Sequence, residues 1–335
     1  MIDVRLSALA VALSLAPVRI AAQAPVPKGN SSAKVTSAAQ PAKWTPPRLP
    51  DGRPDFGGYW STHTATPLER PDTFAGREFL TEDEFKDLEQ RAGRPVVNPN
   101  NPFPALWTGE TRWVMANKRT SIITDPKDGK IPPLTPEAQR RRDADMADHK
   151  RHFQYGPEDM GTFERCLPVA TSGPPMLPSA YNNNYQIVQT QDHVAIATEM
   201  MHDVRIVPMD GRPRSDIRQW VGDSRGHWEG DTLVVETTSF NGKRGYFGPL
   251  AFEGNDLKRP DQKMSVIERF TRTDRDILLY QFTVTDPGIY SKPWSGEITM
   301  RPFPGPLLEY ACHEGNQALP LILSGARAEE KGSRK

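Results

Sequence analysis

Cysteine, net charge and long apolar runs are all scarce in this chain, and each scarcity removes a class of function. The 335 residues carry 42 basic and 42 acidic side chains, a formal net charge of zero. No global field therefore draws the protein toward nucleic acid or an anionic membrane. Beyond the N-terminus no apolar run approaches the ~20 residues needed to span a bilayer. There is no P-loop, no dinucleotide fingerprint, no H-E-x-x-H, no H-x-H and no compact C-x-x-C pair. No cofactor and no metal centre is expected on motif grounds.

What is abundant is proline, 33 residues, with 25 glycines against a hydrophobic fraction of 36%. Proline costs about 3 kcal/mol inside a helix, which disfavours long helical bundles and favours turns with short strands. The first 24 residues resemble a secretory signal peptide. Arg5 gives the positive charge, Leu6 to Ala16 the apolar stretch, and Ala22-Gln23-Ala24 an A-x-A site. Asp3 dilutes the basic end and Pro25 disfavours cleavage directly after Ala24, so the cut is expected a few residues away. No cysteine follows closely enough for lipid attachment. A periplasmic or secreted protein is expected, with no integral membrane span after processing.

Residues 25–50 are rich in Pro, Ser, Ala and Lys without periodicity, and read as a disordered tether. Residues 51–165 read as an irregular, partly helical section wrapping a later domain. Thr81 and Glu84 spell a capping box ahead of a short helix, and Thr135 with Pro136 opens a second, almost wholly polar one. From residue 166 to 328 an antiparallel β domain is expected, with a C-terminal helix and a tail at 329–335. Its clearest signal is "ILLYQFTVT", where Leu278, Tyr280, Phe282 and Val284 share one face. "YQIVQT", "HVAIATEM", "VRIVPM", "RGHWEGDTLVVETTSF", "SVIERFTRT", "WSGEITMRP" and "LLEYACHE" supply the other strands. The fold class is mainly β: an antiparallel meander forming a barrel or strongly curved sheet, with a sandwich as the alternative.

Two phrases resemble the calycin group, which includes the lipocalins. They are Gly58-Tyr59-Trp60, a G-x-W pattern, and "WEGDTLVV", Trp228 to Val235. The resemblance implies a barrel with an apolar cavity open at one end. Here, however, Pro-rich and helical sequence separates the G-x-W phrase from the contiguous strands. Over most of its length the chain resembles a family of exported bacterial β-rich proteins to which no activity is attached. "PDGRPDFGGYW", "HDVRIVPMDGRP", "WVGDSRGHWEGDTLVVETTSFN" and "EYACHEGN" carry that likeness.

Cys166 and Cys312 are the only cysteines. In an oxidising compartment a disulfide between them is expected, closing a loop of more than 140 residues. Cys312 and His313 are adjacent, and on a strand neighbours point to opposite faces, so a Cys–His dyad is disfavoured. His202 with Asp203, His227 with Glu229, and His313 with Glu314, together with Arg205, form the polar inventory of the β region, and the His/carboxylate pairs are its acid/base candidates. If their hairpin rims converge on one mouth, a carboxylate can orient an imidazole there. Trp60, Tyr181, Trp228 and Trp294 are candidate walls for a small, partly apolar molecule. The loop "CLPVATSGPPMLPSAYNNNY" is read as a wall, a lid or a strap tied down by Cys166. Three functions stay open: small-molecule binding at a barrel mouth, a hydrolase or lyase using a His/carboxylate site, and a structural or surface-interaction role.

Overall fold

The computed structural model describes residues 44–93, 112–151, 156–179, 181–243 and 263–332. The signal segment, residues 25–43 of the tether and the last three residues of the tail lie outside the described residues. Ten strands make one sheet: β1 Gly58–Ser61, β2 Ile123–Asp125, β3 Asn184–Gln189, β4 His193–Thr198, β5 Val204–Pro208, β6 Asp223–Glu229, β7 Thr232–Thr238, β8 Ser265–Asp274, β9 Ile277–Thr285 and β10 Trp294–Pro302. Among the described residues three α-helices lie outside it, α1 Glu82–Ala92, α2 Pro136–Arg151 and α3 Ala318–Gly332.

The strand order is β5-β4-β3-β1-β10-β9-β8-β7-β6, every neighbouring pair antiparallel, with β2 also on β10. This is a nearly closed barrel. The nine strands of the main path alternate in direction, so β5 and β6 at its two ends run the same way. An antiparallel ladder cannot close such a ring. Side chains fill the seam instead. A Cβ on Gly226 of β6 would sit 2.4 Å from Met209 Sδ and 2.9 Å from Val207 Cγ1, so only glycine admits this approach. The chain leaving β5 is then tied along β6, where the Arg225 guanidinium donates to the carbonyls of Arg212 (3.1 Å) and Pro213 (2.6 Å).

β9 shows why the alternation folds as it does: Leu278, Tyr280, Phe282 and Val284 are buried, and every intervening residue is partly exposed. The barrel interior receives this face together with Val266 and Phe270 from β8, Trp294, Ile298 and Met300 from β10, and Tyr185 and Ile187 from β3. β1 joins the two halves of the barrel by pairing with both β3 and β10. The segment read as a wrapping section thus supplies a central strand, and the described residues from Trp44 onward form one compact unit.

The expected strand "LLEYACHE" does not form. After β10 the amide of Phe303 makes one more bond, to the Tyr59 carbonyl (2.9 Å), and Pro302, Pro304 and Pro306 then lack the donors to continue a ladder. Residues 303–316 run as irregular chain toward Cys312. The capping box at Thr81 and Glu84 is present, and Thr135 Oγ1 accepts from the Ala138 amide (3.1 Å) at the start of α2. None of the described helices is long and apolar enough to cross a membrane.

Candidate functional site

The strand directions separate the candidate rims. Alternation around the sheet puts the β6–β7, β8–β9 and β3–β4 turns at one end of the barrel. The β4–β5 connection, carrying His202 and Asp203, lies at the other. The expected convergence of the His202 and His227 rims on a single mouth is therefore corrected. His227 and Glu229 sit on the outer face, 3.3 Å apart and about half exposed, with Arg269 bonded to Glu229 at 2.6 Å. Arg269, and behind it His227, hold the Glu229 carboxyl below the ordinary range. This is a solvated surface ladder.

The four aromatic wall candidates are also dispersed. Trp294 is fully buried, packed edge-on against Phe282 (5.6 Å) and Tyr290 (6.1 Å). Trp60 is buried toward the opposite end, donating to the Phe56 carbonyl (2.9 Å) beneath the Arg272 guanidinium (5.3 Å). Trp228 meets Phe56 at 5.5 Å. Phe56 and its flanking chain cover that end, bonded to Gln189 at 2.6 Å through the Phe56 amide and to Arg272 at 2.9 Å through the Asp55 carbonyl. Only Tyr181 stands beside candidate histidines, at the disulfide end.

The disulfide forms as expected, with Cα atoms 5.7 Å apart and no free cysteine among the described residues. It anchors the proline-rich loop that follows Cys166. That loop turns into the barrel as a plug: Met176 is fully buried, and its amide donates to the Tyr280 hydroxyl (2.9 Å). Tyr185 donates to the Thr171 carbonyl (2.9 Å) and so fixes the other side of the same loop.

Beneath the plug lies a charged centre inside a largely apolar barrel. Arg205 from β5 pairs bidentately with Glu268 from β8, the two side chains 4% and 0% exposed. Tyr280 donates to Glu268 Oε1 at 2.8 Å. Burial pushes the Tyr280 hydroxyl well above its ordinary pKa, and the Glu268 charge adds to this. Burial alone would lower the Arg205 pKa, but the charge and hydrogen bond of Glu268 outweigh it and raise it. Glu268 accepts three bonds in all. Arg205 Nε, in contrast, has no protein partner, and neither do the buried hydroxyls of Thr171 and Ser172 in the plug.

No protein-family model, curated protein or solved structure matches the chain. Its chemistry therefore has to be read from its own residues.

On the outer rim of the same end, His202 and His313 come together with ring centroids 6.4 Å apart. His202 Nδ1 bonds the Tyr310 carbonyl at 3.0 Å, and the Tyr310 and Tyr181 hydroxyls meet at 3.4 Å. Burial, then the Tyr181 hydroxyl, push the Tyr310 pKa upward. Both histidines and Glu314 are exposed; Asp203 is half-buried and continues the turn through its carbonyl, which accepts from the Thr198 amide (2.8 Å). The nearest buried carboxylate in this region, Glu199, is already engaged by Asn184 Nδ2 (2.6 Å) and the Leu308 amide (3.1 Å). A carbonyl, not a carboxylate, orients His202.

One further phrase, Gly222-Asp223-Ser224-Arg225-Gly226, spells G-x-S-x-G. Its context is not a strand-to-helix elbow. Ser224 lies within β6, buried, with its hydroxyl 2.8 Å from that of Thr237. It is a cross-strand pair of the barrel interior.

Sequence reasoning passed over Glu268 as a site residue, although a signal for it existed. In "SVIERFTRT" it falls on the Val266–Phe270 face, a carboxylate in line with core residues. Arg205 belongs to the polar inventory read from the sequence, but nothing in its strand marks it as inward-facing. In "VRIVP" the apolar Val204 and Ile206 point outward, 55% and 51% exposed, and the arginine points in.

Proposed function

We propose that the protein is an exported small-molecule-binding protein whose ligand is recognised by the Arg205–Glu268–Tyr280 centre beneath the Thr171–Met176 plug. The carrying observation is the fully buried Arg205 with its Nε–H unpartnered. A core built for stability alone has no need of this pair, since replacing a buried ion pair by apolar residues of similar volume is often neutral or stabilising. Because Glu268 neutralises Arg205, the centre does not call for an ionic ligand. It offers a donor, Nε–H, and in the plug the hydroxyls of Thr171 and Ser172, with the apolar Phe282 and Met176 side chains among the surrounding core. Those groups suit a partly apolar molecule bearing a carbonyl or hydroxyl oxygen. Displacement of the plug gives entry, with the disulfide holding one end of the loop in place.

Export is supported by the apolar N-terminal segment and by a disulfide that an oxidising compartment would maintain. The likeness to exported bacterial β-rich proteins agrees with this reading. Of what the lipocalin-like phrases imply, the antiparallel barrel is present, and a ligand held within it is part of the proposal.

Thermal unfolding against a panel of oxygen-bearing apolar molecules and matched hydrocarbons tests the proposal. At a hundredfold excess over Kd, a true ligand should raise Tm by about 4–5 °C. The folded double variant R205M/E268L should lose that shift. No stabilising member in a broad panel, or equal shifts in the double variant, would count against the centre as the binding site.

A further inference from the structure

The His202–His313 pair is not used by the binding centre, and its construction points to a second site. Met201 and His202 both adopt positive φ, +60° and +44°, a costly conformation for consecutive non-glycine residues. That turn brings the His202 ring against residues 310–313. The Tyr310 carbonyl can only accept a hydrogen bond, so in the neutral ring the proton sits on Nδ1 and Nε2 is the nitrogen left for a ligand. A backbone carbonyl fixing one imidazole nitrogen while the other stays basic is the usual outer support of a metal-bound histidine.

His313 comes from the same segment as the orienting carbonyl. Its neighbour Cys312 is bonded to Cys166, and Asn316 closes a turn onto the His313 carbonyl (3.2 Å) while its side chain donates to Cys166 Sγ (3.3 Å). Both rings are thus positioned by one disulfide-anchored strip of chain and remain open to solvent. Two imidazoles on one tetrahedral ion, with bonds of about 2.0–2.1 Å, bring their ring centroids to roughly 5 Å. The observed 6.4 Å is longer by an amount that side-chain rotation of an exposed ring supplies. Asp203 and Glu314, each next in the chain to one of the histidines, add negative charge to the rim.

We infer that His202 Nε2 and His313 form a two-histidine site for a borderline divalent transition-metal ion, with water completing the shell. Among the described residues no group of three or more His, Cys, Asp or Glu is placed to hold an ion, so an all-protein cage is not what is proposed. Imidazole donors select Cu(II), Ni(II) or Zn(II) over Mg(II) and Ca(II), which prefer oxygen.

The test is calorimetric titration of the full, oxidised protein with Cu(II) and Zn(II) in the presence of glycine as competitor. Electron paramagnetic resonance of the Cu(II) form accompanies it. Wild type should bind one equivalent with coupling to two imidazole nitrogens. His202→Ala and His313→Ala should each weaken binding at least tenfold, whereas His227→Ala, another exposed histidine, should not. Both rim variants remove only exposed side chains, and circular dichroism checks that they stay folded. Equal affinity in wild type and either rim variant, or no binding by wild type above the glycine competition, would overturn the site.

Discussion

Replacing Glu268 by leucine is expected to destabilise the protein by about 3–5 kcal/mol, because it strands the buried Arg205 guanidinium without its counter-charge. Arg205 is 4% exposed and its two terminal nitrogens both bond Glu268, so no water-facing rotamer is at hand. Arg205→Met leaves the opposite charge stranded and should cost a comparable amount. The double variant R205M/E268L removes both charges and fills much the same volume. Its remaining deficit is the Tyr280 hydroxyl, which loses its acceptor on Glu268 but still receives the Met176 amide. One unsatisfied donor costs about 1–3 kcal/mol. Urea unfolding of the four proteins should therefore give a coupling energy of several kcal/mol, with the double variant more stable than either single. Single variants within about 1 kcal/mol of wild type would mean that the pair is hydrated, and the polar centre would cease to be distinctive.

The same experiment separates stability from binding. If R205M/E268L folds nearly as well as wild type and has lost ligand response, the ion pair is retained for recognition. The Tyr280 hydroxyl touches both the charged pair and the plug, so on the proposed reading displacement of the plug and occupation of the centre would be coupled through it.

How much of this was legible beforehand depended on whether the signal was local. Period-two alternation in β9 and the capping box at Thr81 are written within ten residues, and both appear as read. Thr135 as the cap of the second helix belongs with them. The pairing of β1 with β3 and β10 is a long-range event. Gly58-Tyr59-Trp60 announces a strand but cannot say which neighbours it joins, and here it completes the barrel between the two halves. The rims failed for a similar reason: with no strand order, the ends at which His202 and His227 emerge cannot be told apart. "LLEYACHE" is a different case. Its apolar start resembles a strand, but the prolines just before it end the hydrogen-bonded ladder, and that information was present in the sequence. The tryptophans show a limit of residue type. Trp60, Trp228 and Trp294 are large and amphipathic, which suits a ligand wall or a packed core equally, and burial decides: Trp294 is wholly enclosed.

Removing the Cys166–Cys312 bond should be the other large perturbation. Closing a 146-residue loop lowers the entropy of the unfolded chain by an amount worth about 5 kcal/mol on the loop-closure estimate. The bond also does local work. One partner begins the plug loop, whose Met176 amide reaches Tyr280, and the other holds the strip carrying Tyr310 and His313. The variant C166S/C312S is thus expected to unfold at a much lower urea concentration than wild type. Before global unfolding its plug should already admit solvent, seen as faster hydrogen exchange at the Met176 and Leu177 amides than in the central strands. Thiol labelling of the unreduced, urea-unfolded wild type should find no free cysteine; two reactive thiols would remove the bond and with it the anchoring of the plug. A variant that loses global stability but keeps slow exchange at Met176 would show the loop held by Tyr280 and Tyr185 alone. The disulfide would then act on the unfolded chain and not on access to the centre.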